Sequence, residues 1–225
     1  MDEVAILIPC YNEAKTVQAV IRDFGKYLPY ARMYVYDNNS TDGTYKKAAS
    51  LMSDYKLEVR RVPQQGKGCV VRQMFKDIDA DIYLMVDGDS TYCAKDAARL
   101  IAGVQNGSDM VLGDRMVTGY DNIKARPFHK QGNLFVNKCI NKVYHGRITD
   151  ALTGYRAFSR KFVKDIKIQS HGFEIETELC IHALKNGFRI SAVPVEYLDR
   201  PAGSESKLNT FMDGLKVLET IARMR

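Results

Sequence analysis

A chain of 225 residues with 45% hydrophobic content is long enough to bury one large α/β core, and no Pro-rich spacer, low-complexity run or internal repeat divides it. The formal charge of +6 is spread along the chain without a basic helix or an aromatic-interleaved sheet, which counts against nucleic acid and leaves an anionic small substrate or an anionic membrane surface. Five scattered cysteines, odd in number and never in Cys-x-x-Cys spacing, favour reduced thiols in a cytosolic protein over a disulfide frame or zinc site.

Val4 to Ile8 is a β-branched run that reads as a central strand. It ends at Pro9-Cys10-Tyr11-Asn12-Glu13, and a helix from near Ala14 follows, with Val17, Val20, Ile21, Phe24 and Leu28 on one face. The loop lacks Gly-x-Gly-x-x-Gly, so a nucleotide here must be held by side chains. Tyr11 can stack on a base and Glu13 can accept from one; a helix-capping turn is the structural alternative. Met33 to Tyr36 gives a second strand, followed by Asp37-Asn38-Asn39-Ser40-Thr41-Asp42-Gly43-Thr44. Asp37 at the strand tip is placed to accept hydrogen bonds from a ribose or base, Asp42 or Thr44 to cap the next helix, and Asn38 and Asn39 to make a polar turn.

Leu57 to Val62 is a third strand, and Pro63-Gln64-Gln65-Gly66-Lys67-Gly68 then opens a helix. Gly66 and Gly68 would let backbone approach a phosphate, with Lys67 bringing a cation, although the spacing is not that of a Walker loop. The strand from Ile82 ends in Asp87-Gly88-Asp89. Two hard carboxylates at a strand's carboxyl end suit Mg²⁺ or Mn²⁺ holding a diphosphate; a plain turn is the alternative. A helix with Ala97, Leu100, Ile101 and Val104 inward follows, and Met110 to Leu112 leads into Gly113-Asp114-Arg115. This βαβαβαβ run predicts a largely parallel sheet whose polar strand ends meet along one edge.

These segments in this order resemble family-2 glycosyltransferases of the GT-A fold. The second half narrows the resemblance: Asp150-Ala151-Leu152-Thr153-Gly154-Tyr155-Arg156-Ala157-Phe158, Gly172-Phe173-Glu174-Ile175-Glu176-Thr177-Glu178-Leu179 and Arg200-Pro201-Ala202-Gly203-Ser204-Glu205-Ser206-Lys207-Leu208 look like the polyprenyl-phosphate branch. That branch includes dolichyl-phosphate mannose and glucose synthases and bacterial undecaprenyl-phosphate enzymes. The resemblance implies a Rossmann-like, mostly parallel sheet flanked by helices. It also implies inverting transfer of a sugar from a nucleotide diphosphate donor to a membrane polyprenyl phosphate, with UDP-glucose or UDP-N-acetylglucosamine ahead of mannose donors.

Carried over residue by residue, Pro9, Tyr11, Glu13, Asp37 and Lys67 match nucleotide-binding positions, and Asp87, Gly88 and Asp89 the metal and diphosphate motif. Some members carry a Gln as a further metal ligand where this chain has Thr91. Arg115, Arg126 and Lys130 match the region facing the acceptor phosphate, and Arg200, Ser206 and Lys207 the loop that closes over phosphates. Asp150 is the expected acid/base or sugar-orienting carboxylate, with Glu176 next. The alternative for Asp150 is a structural pair with Arg156, and Glu174 and Glu178 read as a solvated helix face.

Residues 1–206 are expected to form the catalytic domain and 207–225 a C-terminal amphipathic helix. Leu208, Phe211, Met212, Leu215, Leu218 and Ala222 share one face of that helix, which either packs on the core or lies at a membrane interface; the helix from Phe128 to Val143 is a second interfacial candidate. No signal peptide precedes Val4 and no apolar run reaches a membrane span. A cytoplasmic protein peripheral on the inner membrane face, or docked on a small membrane partner, is therefore expected. The rival functions are transfer to a sugar hydroxyl and a non-catalytic nucleotide-sugar sensor. The sequence leaves the oligomeric state open.

Overall fold

The computed structural model describes residues 2–117, 127–204, 207 and 210–225. The strand β1 (Val4–Cys10) is buried along its whole length. It lies parallel to β2 (Arg32–Asp37) on one side and β4 (Ile82–Met85) on the other, and β3 (Leu57–Arg61) extends the sheet beyond β2. Alternate residues point to opposite faces, as the pleat requires: Ala5 and Leu7 enter one core, Val4, Ile6 and Ile8 the other. The first core is covered by α3 (Lys67–Asp77), α5 (Pro127–Tyr144) and α7 (Ile175–Lys185). The second is covered by α1 (Val17–Tyr27), α2 (Thr44–Ala49) and α4 (Ala97–Gln105).

The seven strands run in the order β3-β2-β1-β4-β6-β5-β7. The parallel run is thus interrupted. β6 (Arg156–Ser159) inserts antiparallel between β4 and β5 (Met110–Asp114), and β7 (Ile190–Pro194) closes the far edge parallel to β5. Two antiparallel pairings in succession restore the original direction. The carboxyl ends of β1, β2, β4 and β5 therefore still open on one edge, and all four carry polar side chains there. The result is a mixed α/β, GT-A-like sheet.

α6 (Arg160–Asp165) is a short helix capped by Ser159, whose hydroxyl accepts from the Phe162 amide. The last helix, α8 (Thr210–Arg223), packs on α5 and α7 through Val217, Thr220 and Ile221, and the Tyr144 hydroxyl donates to the Ile221 carbonyl at 2.6 Å. Met212, Leu215 and Leu218 instead remain exposed, so this part of the apolar stripe is the outer side of the helix; Leu208 lies outside the described residues, as does the Phe211 side chain. Among the described residues, no helix is long and apolar enough to cross a membrane.

Candidate active site

A cavity of about 900 Å³ opens at the carboxyl edge of the sheet, between the loops after β1 and β4, the start of α3, α5, α7, residues 197–204 and α8. The loop after β4 is set by its own carboxylate. Asp89 Oδ1 accepts from the backbone amide of Thr91 at 3.1 Å and from its hydroxyl at 2.6 Å, with Ser90 in the left-handed region (φ 63°). Thr91 thus orients Asp89. The Gly88 carbonyl accepts from the Thr16 hydroxyl at 2.7 Å, and a Cβ at position 88 would press on the Cys10 sulfur, so a side chain between the two carboxylates would have to displace it.

Asp87 and Asp89 each face a cation of the chain. Lys67 Nζ donates to Asp87 Oδ1 and to Glu176 Oε1, both at 2.6 Å, while the guanidinium of Arg200 meets Asp89 and lies 3.5 Å from Glu13. Burial opposes the charge on Lys67, yet Asp87 and Glu176 outweigh it and hold the ammonium above its ordinary value. The carboxylates are less well served. Burial pushes Asp89 up and Asp87 adds to the shift; burial and then Asp89 raise Glu13; burial and Asp87 raise Glu176 against the pull of Lys67. The cavity wall carries Glu13, Asp87, Asp89, Glu176, Asp199 and Asp213 against Lys67, Arg115, Arg200 and Lys207, an excess of negative charge in a basic protein.

A second buried ion pair has the opposite character. Arg115 clamps Asp150 through Nε–Oδ2 at 2.7 Å, Nη2–Oδ1 at 2.8 Å and its backbone amide at 3.1 Å, and Asn133 Nδ2 adds a bond to Oδ1 at 2.6 Å. Burial works against the Asp150 carboxylate, but Arg115 and Asn133 hold it below its ordinary value. Asp150 has no exposed surface and does not line the cavity; Arg115 and Asn133 do. The partner of Asp150 is therefore Arg115. Arg156 is instead wholly buried and donates to the carbonyls of Thr153 (2.9 Å) and Ala151 (2.6 Å), bracing the 151–154 loop.

Of the remaining expected residues, Pro9, Tyr11, Glu13, Lys67, Gly88, Arg200 and Lys207 line the cavity together with Asp87 and Asp89. Asp37 does not; it is fully buried behind the wall, where Oδ2 accepts from the Ser40 amide at 3.3 Å and Oδ1 has no partner. Lys130 lies on α5 away from the lining. Arg126 and Ser206 fall outside the described residues.

Three further expectations are refined or corrected by packing. The side-chain side of Gly66 and Gly68 is filled by the backbone of residues 170–172, where a Cβ would collide with the carbonyls of His171 and Ser170, so these glycines admit another loop; Gly66 lines the cavity and Gly68 does not. Asn38 is more than a turn residue: it donates to the carbonyls of Val62 (3.2 Å) and Gln64 (2.7 Å) and accepts from the Gly66 amide at 2.7 Å, tying two cavity loops together. Glu174 and Glu178 are buried, not solvated. Glu178 accepts from the amides of Gln169 and Ser170, both at 2.7 Å, and Glu174 from those of His171 (3.0 Å) and Gly172 (2.9 Å), fixing the loop that packs on the glycines.

The sequence reading missed a ladder of amides on α5. Asn133, Asn137 and Asn141 recur every fourth residue and zip the helix to residues 148–151. Their spacing is the signal that would have revealed it. It also missed Tyr92, whose hydroxyl accepts from the Gly154 amide at 2.9 Å, and Tyr197, whose ring lies 5.1 Å from the Arg115 guanidinium.

The sequence pattern of glycosyl transferase family 2 matches residues 5–167. A glycosyltransferase of Haloferax volcanii named AglJ is 37% identical over 214 residues, covering 95% of this chain and 69% of that one. A dolichol-phosphate mannosyltransferase of Pyrococcus furiosus is 28% identical over 92% of this chain, which spans 59% of that enzyme. In three dimensions the chain is similar to glucosyl-3-phosphoglycerate synthase from Mycobacterium tuberculosis, solved with Mn²⁺, UDP and glucosyl-3-phosphoglycerate, with a TM-score of 0.79 at 17% identity over 99% of this chain and 80% of that one. At that identity the likeness is one of fold.

Proposed function

The chain belongs to glycosyl transferase family 2, and from that premise we propose that it is an inverting enzyme moving a sugar from a nucleotide diphosphate donor to polyprenyl phosphate. UDP-glucose or UDP-N-acetylglucosamine is the proposed donor, undecaprenyl phosphate the acceptor, and the cytoplasmic membrane face the place, for cell-surface glycan synthesis. The observation that carries the reading is the crowding of Glu13, Asp87 and Asp89 on one wall of a cavity with surplus negative charge. Burial first, and the repulsion of neighbouring carboxylates next, raise Asp89 and Glu13; the hard oxygens of Asp87 and Asp89 are of the type a divalent cation takes, although among the described residues no three such ligands converge on one point, so water and diphosphate oxygens would complete its shell. Asp87 and Asp89 would hold Mg²⁺ or Mn²⁺, which when bound supplies charge neutralisation for the departing diphosphate.

The chain's own groups do the rest. Lys67 and Arg200, now paired with Asp87 and Asp89, have the diphosphate oxygens as alternative acceptors once the donor is seated. Tyr11 and Glu13, both in the cavity lining, would face the nucleoside end, while Asp37 is buried outside the lining. The nucleophile is a phosphate monoester, which with a second pKa of about 6 already carries roughly −1.5 to −2 charges at neutral pH and needs no strong base. Its oxygen forms the new bond to the anomeric carbon from the side opposite the diphosphate, whose C–O bond breaks, so the configuration inverts.

Two anions must approach for this step. At an effective dielectric of about 20, unit charges ~4 Å apart repel by about 4 kcal/mol. Arg115, Arg200 and Lys207 line the cavity and offset that cost, with Asp150 acting as a positioning residue for Arg115 and Glu176 for Lys67. Exposed Met212, Leu215 and Leu218 on α8, and Leu134 and Phe135 on α5, support peripheral docking on the membrane or on a small membrane partner. Incubation with labelled nucleotide sugars, Mn²⁺ and undecaprenyl phosphate tests the function: label is expected in the lipid fraction, and label that reaches only water or a sugar hydroxyl overturns it.

A further inference from the structure

The amide ladder on α5 has an odd rung. Asn141 spends both ends of its side chain on residue 148, accepting from the Ile148 amide at 2.7 Å and donating to its carbonyl at 2.8 Å. Asn137 does the same across residues 149 and 151, accepting from the Ala151 amide at 2.8 Å and donating to the Thr149 carbonyl at 2.5 Å. Asn133 donates to Asp150 at 2.6 Å, but its Oδ1 is buried with no partner. It is also the rung that lines the cavity; Asn137 and Asn141 do not.

The orientation of the Asn133 amide is dictated by its neighbour. Asp150 is held ionised by Arg115, and an ionised carboxylate only accepts, so the nitrogen of Asn133 must face it and the oxygen must turn the other way. Asn133, a residue of the cavity lining, thus carries a fixed acceptor with nothing to accept from. A buried carbonyl oxygen without a donor costs free energy, and such a cost persists at a binding site where a ligand relieves it. A phosphate oxygen cannot do so, because it is itself an anionic acceptor. A hydroxyl can.

We propose that Asn133 Oδ1 accepts a hydrogen bond from a hydroxyl of the transferred sugar and so helps to choose the donor. The inference rests on the donor reading above and deepens it by naming a sugar-recognising residue. The sugar would then lie beside Arg115 and Tyr197, whose cation–π pair forms the adjoining wall. The ribose also carries hydroxyls, and the experiment separates the two sources.

Affinities of full-length wild type, Asn133→Ala and Asn137→Ala are measured with Mn²⁺ for matched probes: UDP against UDP-glucose, UDP against UDP-N-acetylglucosamine, and GDP against GDP-mannose. Asn133→Ala is expected to weaken the preferred nucleotide sugar by about 2- to 12-fold while leaving the bare nucleotide unchanged. Asn137→Ala, which loosens the same ladder away from the cavity, should not move that ratio. An equal loss for nucleotide and nucleotide sugar assigns the hydroxyl to the ribose and overturns the proposal. No loss for either means that water satisfies the oxygen, and overturns it too. Failure of wild type to bind any pair overturns the donor reading itself. Deoxy analogues of the preferred donor give a check on wild type alone: one of the 2-, 3-, 4- and 6-deoxy sugars must bind less tightly, and unchanged affinity for all four refutes the assignment even if Asn133→Ala does not fold.

Discussion

Two buried charge clusters share this cavity, and they are built differently. Asp150 is matched one to one by Arg115, supported by Asn133, and its carboxyl is held low. Elsewhere in the lining Glu13, Asp89 and Glu176 are all pushed up, by burial first, with neighbouring carboxylates adding to it and Lys67 pulling Glu176 the other way. The first cluster is satisfied as it stands and serves to place Arg115. The second has fewer cations than carboxylates, as a site that takes up a cation with its ligand would. Strongly shifted groups gather at functional sites, but the direction of the shift separates the part that waits for a ligand from the part that holds the scaffold.

The sharpest way to break the comparison is to remove one carboxylate from each cluster. Asp89→Ala is expected to lower sugar transfer by about 10²- to 10³-fold, in the range seen for losing a group that stabilises developing charge. Its melting temperature without metal should fall less than that of Asp150→Ala, because the lost bonds to Thr91 and Arg200 are partly offset by relief of the repulsion from Asp87. Asp150→Ala should instead cost about 3–5 kcal/mol of stability, since it strands the Arg115 guanidinium in the interior. Replacing both partners, Arg115→Met with Asp150→Leu, should recover most of that stability by denaturant titration while transfer stays low. If the single Asp150 variant melts like wild type, the two clusters are not different in kind.

Acidity sharpens the same contrast. Groups whose folded pKa is raised, here Glu13, Asp89 and Glu176, favour the fold below their unfolded pKa and lose that contribution as pH climbs through the folded value. Asp150, lowered, contributes above its unfolded pKa and is lost as pH falls through the folded one. Without metal, the melting temperature should therefore rise as pH is lowered from neutrality toward the ordinary carboxylate range, then fall below it as Asp150 protonates. Saturating Mn²⁺ should flatten the first arm and leave the second. The smallest effect is expected at the surface: Met212→Ser, Leu215→Ser and Leu218→Ser together should weaken flotation with anionic vesicles and leave nucleotide-sugar binding in solution within a factor of two.

The first half of the chain was more legible than the second, for a physical reason. β1 to β4 and their helices follow from local periodicity, and the loops after β1, β2 and β4 carry their own polar signatures. The antiparallel insertion of β6 between β4 and β5 is a long-range pairing that no local pattern announces. The match of Asp150 with Arg115 and not Arg156 likewise spans 35 residues of chain. The packing of the 170–172 backbone on Gly66 and Gly68 is equally invisible locally, because the two segments are about a hundred residues apart. The apolar stripe of α8 was visible, but which side of the helix the core would take depended on α5 and α7.

The central claim is that Asp87 and Asp89 recruit a divalent cation together with the donor diphosphate. Titration of wild type and Asp89→Asn with the preferred nucleotide sugar, in Mn²⁺ and in EDTA, tests it most directly. Wild type should bind far more tightly in Mn²⁺ than in EDTA, and the variant should bind weakly in both. Equal affinity of wild type with and without the metal, or an Asp89→Asn protein that keeps the full metal enhancement, would contradict it.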